Sequence, residues 1–324
     1  MALIRRQILT GFGAGLVTAS FAPRAVFASD GVLAVVATTG MIADTARRIG
    51  GDLVSVRALM GPGVDPHGYR QTRTDIVAMA KADLVLWNGL YLEAQMEDVL
   101  GDISRRTPVT AVAEAIADDQ LISHDDYANR FDPHVWMDPG LWRDVAAAVR
   151  DALIAAAPAR ETQFVMNADA FLADLEDLVI YADTVLESVP PEARVLVTAH
   201  DAFNYFGRAY GFEVVGIQGI STESEAGLNR VTGLVNMLVE RGIESVFVES
   251  SVSDRSVRAL IEGAASQGHA VRIGGELYSD AMGAPGTYEG TYIGMIDHNV
   301  TTIAAGLGGA APAQGMTGQL NLES

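Results

Sequence analysis

VLAVVATTGMIADTARRIGGDLVSVRALM, residues 32–60, decides the fold. Its first six residues form an unbroken apolar run that ends at Thr38-Thr39-Gly40, the pattern of a strand buried on both faces. Ile42, Ala46 and Ile49 then recur at helical spacing until Gly50-Gly51 stops the pattern, and residues 54–60 give a second strand. Strand, helix and strand in that order make a parallel pair with a crossover helix.

The same grammar continues outward. A Gly/Pro loop at 61–69, a helix at 74–82 with Asp75 in its first turn, and a strand at 84–87 ending in Asn88-Gly89 complete the first half. A strand at 194–197, a helix at 201–210 closed by Gly211 and a strand at 213–217 repeat it. A polar loop to Gly227, a helix at 228–241 closed by Gly242 and a strand at 245–248 follow. The expected class is α/β: two lobes, each with a mainly parallel sheet flanked by helices. Residues 160–189 contain neither Gly nor Pro and place Phe164, Phe171, Leu175, Leu178 and Leu186 at helical spacing. At 1.5 Å per residue this is a rigid linking helix of about 45 Å. The expected organisation is an export signal at 1–28, an N-terminal lobe at 29–159, the linking helix at 160–189, a C-terminal lobe at 190–304 and a loose Gly- and Ala-rich tail at 305–324.

Composition narrows the function. The 324 residues carry 22 basic and 41 acidic side chains, a net charge of −19, which repels nucleic acid and anionic lipid head groups. Cys is absent, so disulfides, thiolate ligands, nucleophilic thiols and lipid attachment through an N-terminal Cys of this chain are all excluded. Arg5-Arg6 precede an uncharged stretch to Pro23, and Val26-Phe27-Ala28 supplies small residues for cleavage. This is the pattern of a cleaved export signal and a periplasmic destination. The arginine pair resembles a twin-arginine signal, although Ile4 and Ile8 depart from it. The same run is too short and too broken by small residues for a membrane anchor.

Of six histidines, three stand out. His67 lies in an Asp65-Pro66-His67 triplet just beyond a strand, His134 lies in a second triplet, Asp132-Pro133-His134, and His200 caps the strand 194–197. Asp280 follows the strand at 271–273 and a Gly274-Gly275 break. Ligands bind beyond the carboxyl ends of parallel strands, so these four residues, two from each lobe, can converge on a crevice between lobes. Three imidazoles and a carboxylate suit a first-row divalent ion and do not resemble an all-oxygen calcium or magnesium cage. Asp65 and Asp132 can each accept the other ring N–H of the neighbouring His. By spacing alone, ordinary loop or core histidines remain the alternative. His124, beside Asp125 and Asp126, fits a solvated loop, His269 a surface position and His298 the polar border of a helix. Trp87, Trp136 and Trp142 fit packing roles.

The motifs GVDPHGY (63–69), NGLYLE (88–93), DPHVW (132–136), TAHDAFNYF (198–206) and LYSDAMG (277–283) closely resemble, in order, those of the cluster A-I metal-binding solute-binding proteins of ABC importers, the TroA-like family. The resemblance covers about residues 30–304. It implies one divalent ion held between the lobes by His67, His134, His200 and Asp280, delivery to an ABC membrane permease, a monomer, and no enzymatic activity. His at position 200, where manganese-preferring members often carry Glu, leans toward zinc; the absence of a long His- and acid-rich loop leaves manganese or iron as the alternative. A different class, an exported zinc hydrolase, needs an open coordination position and a general base. Neither an H-E-x-x-H helix nor a G-x-S-x-G elbow occurs in the sequence. A scaffold that used the metal only to fold would be unfolded without it, whereas these cores are large enough to fold alone.

Overall fold

A computed structural model describes residues 31–123 and 130–320; the export-signal region, His124 and residues 321–324 lie outside them. The first lobe begins as the opening stretch predicts, with β1 (Leu33–Ala37), α1 (Gly40–Gly50) and β2 (Val54–Ala58). It continues through α2 (Arg73–Lys81), β3 (Leu84–Trp87), α3 (Glu97–Ile103), β4 (Val109–Ala111) and α4 (Pro139–Ala156). Its sheet is wholly parallel in the order β2-β1-β3-β4. Two helices of this lobe carry clear N-terminal signals. Thr72 and Asp75 form a reciprocal capping box on α2, and Asp138 accepts from Gly140 and Leu141 ahead of Pro139 on α4.

The linking helix α5 runs Glu161–Glu187, 27 residues, or about 40 Å. Its buried stripe is Phe164, Ala168, Phe171, Leu175, Leu178, Ala182 and Val185, alternating steps of four and three. That stripe packs against α1 and α4 of the first lobe, and against two helices of the second.

The second lobe comprises β5 (Val195–Thr198), α6 (Asn204–Tyr210), β6 (Glu213–Gly216), α7 (Leu228–Arg241), β7 (Ser245–Glu249), α8 (Arg255–Ser266), β8 (Arg272–Leu277) and α9 (Tyr292–Gly306). Its strands form two parallel pairs, β5-β6 and β7-β8, with β5 packed beside β7. The ends of β5 and β7 are tied by a side chain: Glu249 accepts the backbone N–H of His200 at 2.9 Å. Gly274-Gly275, expected to break the last strand, instead lies inside β8. A Cβ at Gly275 would lie 2.3 Å from Thr302, and one at Gly274 2.8 Å from the Phe247 ring. The glycines therefore let α9 and Phe247 close on the strand.

Packing joins the lobes more tightly than two separate cores would. One apolar cluster runs from β1 and α1 through α4 and α5 into α6 and α9. At its centre Trp142 stacks on Tyr292, centroids 5.0 Å apart at 10°, and donates its indole N–H to Thr45 at 3.0 Å. Tyr292 donates its hydroxyl to the Trp136 carbonyl at 2.8 Å, and its backbone N–H to Asp44 at 2.9 Å. Among the described residues, the Gly/Ala-rich stretch from Leu307 to Leu320 forms no helix or strand, yet it is not loose. The buried Asp297 accepts the Met316 N–H at 2.9 Å and the Tyr288 hydroxyl at 2.9 Å, and Leu320 is buried. Among the described residues no helix is long and apolar enough to cross a membrane.

A shared core predicts shared melting. Calorimetry should show one transition for both lobes, and Leu175→Ala should lower stability by about 2–5 kcal/mol. The exposed Met166→Ala on the same helix should stay within about 0.5 kcal/mol. Two resolved transitions would contradict the continuous core.

Candidate metal centre

Each of the four predicted residues is delivered by the loop after a strand or by a turn opposite one. His67 follows β2 in the loop 61–69, where Asp65 accepts its backbone N–H at 2.8 Å. His134 sits just before a short 3-10 turn, Val135–Met137, and Asp132 accepts its backbone N–H at 3.0 Å. The two Asp-Pro-His triplets thus close in the same way, with the Asp side chain mimicking a turn. His200 leaves the end of β5, its carbonyl accepting from the Thr198 hydroxyl at 2.8 Å. Asp280 follows β8. The segment before it is pinned by Asn299, which accepts from the Tyr278 N–H at 2.9 Å and donates to its carbonyl at 2.7 Å. Trp136 donates its indole N–H across to the Ser279 carbonyl at 2.7 Å.

One donor atom from each of His67, His134, His200 and Asp280 lies within 4.8 Å of all the others, and all four residues are buried. The separations are 3.2 Å from His67 Nε2 to His134 Nε2, 3.4 Å from His134 Nε2 to Asp280 Oδ1, 3.2 Å from His200 Nε2 to Asp280 Oδ2, and 4.0 Å from His67 Nε2 to Asp280 Oδ2. Bonds of 2.0–2.2 Å in a tetrahedral shell would place neighbouring ligand atoms roughly 3.4 Å apart, close to three of the four separations. His200 Nε2 and both Asp280 oxygens are buried without a hydrogen-bond partner. Buried polar atoms are rarely left so, and an ion would satisfy His200 Nε2 and an Asp280 oxygen together.

The supporting carboxylates differ from the sequence expectation. Asp132 accepts from His134 Nδ1 at 2.7 Å, as expected, and is itself gripped from the second lobe by Asn204 at 3.0 Å and by the Tyr205 hydroxyl on its carbonyl at 2.8 Å. Asp65 does not reach the His67 ring. Its second oxygen instead accepts the Thr222 hydroxyl at 2.5 Å, because the loop after β6 comes down on that side. The carboxylate on His200 Nδ1, at 2.5 Å, is Glu249, which sequence reasoning missed. Glu249 ends β7, so the strand-end rule that selected His200 would have found it had it been applied to acids as well as histidines.

These charges set the protonation of the rings. Burial pulls His67 down to about 3, helped by the neighbouring imidazoles. Burial also opposes charge on His134, but Asp132 and Asp280 outweigh it and push the ring up to about 9. Asp280 and Glu249 likewise outweigh burial at His200 and raise it well above the usual range. Burial alone would raise Asp280, yet the three imidazoles hold it well below the usual carboxylate range.

The remaining histidines are elsewhere. His269 shares its ring with the Ile243 carbonyl at 2.7 Å, and His298 with the Glu276 carbonyl at 2.9 Å. Two cavities flank the centre. One of about 160 Å³ has His67, Leu90 and Glu223 in its wall, and one of about 550 Å³ has Asp280, Asp44 and Met282 in its wall.

Known proteins share this architecture. The manganese-binding lipoprotein MntA of Bacillus subtilis (strain 168) is 48% identical over 279 residues, covering 86% of this chain and 91% of the relative. The zinc-binding protein TroA of Treponema pallidum (strain Nichols) is 45% identical over 280 residues, covering 86% and 90%. The iron-binding protein YfeA of Yersinia pestis is 32% identical over 274 residues, covering 85% and 86%. The solved structure of the periplasmic zinc-binding protein TroA from Treponema pallidum superposes with a TM-score of 0.83 over 86% of this chain and 99% of that one. The family model for ZnuA, the periplasmic component A of a zinc-uptake complex, spans residues 35–306, all eight strands lying within it apart from the first two residues of β1, and the chain belongs to that family.

Proposed function

We propose that this protein is an extracytoplasmic receptor that captures one divalent transition-metal ion, zinc, through His67, His134, His200 and Asp280, and delivers it as a monomer to an ABC import permease. The observation that carries the proposal is the convergence of four buried donors within 4.8 Å of one another, with His200 Nε2 and both Asp280 oxygens lacking a hydrogen-bond partner. Four protein donors fill a tetrahedral shell and leave no position for an attacking water, which argues for a receptor and against the hydrolase. Relatives named for manganese, zinc and iron leave the choice of ion to chemistry. Affinity at imidazole-rich sites rises along the first row from manganese and remains high at zinc. Export rests on the Arg5-Arg6 signal with cleavage after Ala28, and the intact mass of exported protein should begin near Ser29.

Calorimetric titration should give one ion per chain. Alanine at His67, His134, His200 or Asp280 should each weaken binding by orders of magnitude, whereas alanine at His269 or His298 should leave it unchanged. Wild-type affinity in His200→Ala would remove that residue from the shell. The same titrations report protons. Because the neighbouring carboxylates push His134 up to about 9 and hold His200 well above the usual imidazole range, both rings favour the protonated form near pH 7, and the ion must displace those protons. Affinity should therefore climb as pH rises from 6 to 9, and the heat should vary with buffer ionisation enthalpy in the sense of proton release; buffer-independent heats would contradict this protonation scheme.

In competition at equal free concentration, zinc should displace manganese from the wild-type protein. His200→Glu should narrow the preference by exchanging an imidazole for an oxygen donor. Tighter binding of manganese by the wild type would overturn zinc and leave the receptor reading with a different ion.

A further inference from the structure

Leu90 and Tyr91 have φ of 52° and 68°, and among the described residues they are the only non-glycine residues with positive φ. Gly89 before them has φ 79°, so three consecutive residues are left-handed. Single residues adopt this conformation at modest cost, but a run of them persists only where surrounding groups impose it.

Glu93 is the group that does so here. Its fully buried carboxylate accepts the Thr38 hydroxyl at 2.6 Å and the Asn88 backbone N–H at 2.9 Å on one oxygen, and the Gly89 N–H at 3.2 Å on the other. The two backbone donors are those that open the left-handed run. Leu92, also fully buried, closes it with its N–H on the Gly89 carbonyl at 3.1 Å.

The run touches the centre on two sides. The Asn88 side chain donates to the Gly89 carbonyl at 3.1 Å and to the Pro133 carbonyl at 3.2 Å, and Pro133 is the residue before His134. Leu90, Tyr91 and Leu92 line the cavity that has His67 in its wall. We propose that Glu93 is a positioning residue for the metal centre: it pins the left-handed turn at 89–91, which sets the backbone carrying His134 and walls the centre beside His67. The inference rests on the receptor reading of that centre. Its functional content is preorganisation, since a shell held within about 0.5 Å of its bound geometry loses less on binding.

Glu93→Gln isolates the pin without changing shape. In either orientation of the amide, its NH₂ faces the N–H of Asn88 or of Gly89, so one backbone donor loses its acceptor. Measurements belong at pH 8, because burial raises the Glu93 carboxyl to about 7. E93Q should remain folded by circular dichroism, bind zinc about tenfold more weakly in chelator competition, and shift the visible d–d bands of the cobalt-loaded protein. Asn tolerates left-handed φ better than Tyr does. E93Q/Y91N, compared with Y91N alone, should therefore recover part of both the affinity and the spectrum.

Wild-type affinity and cobalt spectrum in E93Q would overturn the proposal, as would a loss that Tyr91→Asn does not recover, since a carboxylate that merely stabilised the core would not be rescued by an easier turn. Should E93Q fail to fold, Asn88→Asp removes the donor to Pro133 at equal size; a shifted cobalt spectrum would support the path and an unchanged one would overturn it. Wild-type protein that bound no zinc or cobalt would instead sink the receptor reading, and this inference with it.

Discussion

Asp280 is a carboxylate buried among three imidazoles with neither oxygen hydrogen-bonded, and much of the structure is arranged around that charge. A buried anion is costly, and His134 Nε2 at 3.4 Å and His200 Nε2 at 3.2 Å, on rings pushed toward the protonated form, balance it. Two further buried carboxylates, Asp132 and Glu249, fix those rings from behind through Nδ1, leaving each Nε2 aimed at the centre. His67 lacks such a buttress and keeps a neutral ring. The centre is thus uneven before an ion arrives, with two charged rings held by acids and one uncharged ring facing a cavity.

The scaffold keeps these groups in register by refusing to separate its lobes. Trp142 on Tyr292, Tyr292 on Trp136, and Trp136 on Ser279 form a chain of contacts that ends one residue from Asp280. Asp132 is held by Asn204 and Tyr205 from the opposite lobe. With α5 bound to both halves, the donors from the two lobes share one rigid frame, which suits a shell whose atoms must stay a few tenths of an ångström from their bound positions.

Much of this was legible in the sequence because it depends on local rules. The stretch at 32–60 shows a parallel α/β unit by periodicity, and the strand-end rule places His67, His200 and Asp280 at one crevice. The repeated Asp-Pro-His pattern closes in the same way at both sites, with the Asp accepting the His backbone N–H. It cannot reveal that only Asp132 turns its second contact toward the ring, because that difference is made by Thr222, 157 residues from Asp65. The docking of the C-terminal segment on Asp297 and the stacking of Trp142 on Tyr292 are equally non-local. Gly274-Gly275 misled for a physical reason: glycine marks a loop and a close backbone approach alike, and here the approach of Thr302 and Phe247 decides.

X-ray absorption on the zinc-loaded protein tests the central claim most directly, because it counts the atoms around the ion. The account predicts a four-coordinate shell of three imidazole nitrogens and one carboxylate oxygen at about 2.0–2.1 Å. Fewer than three imidazoles, or a six-coordinate shell rich in water oxygen, would contradict it.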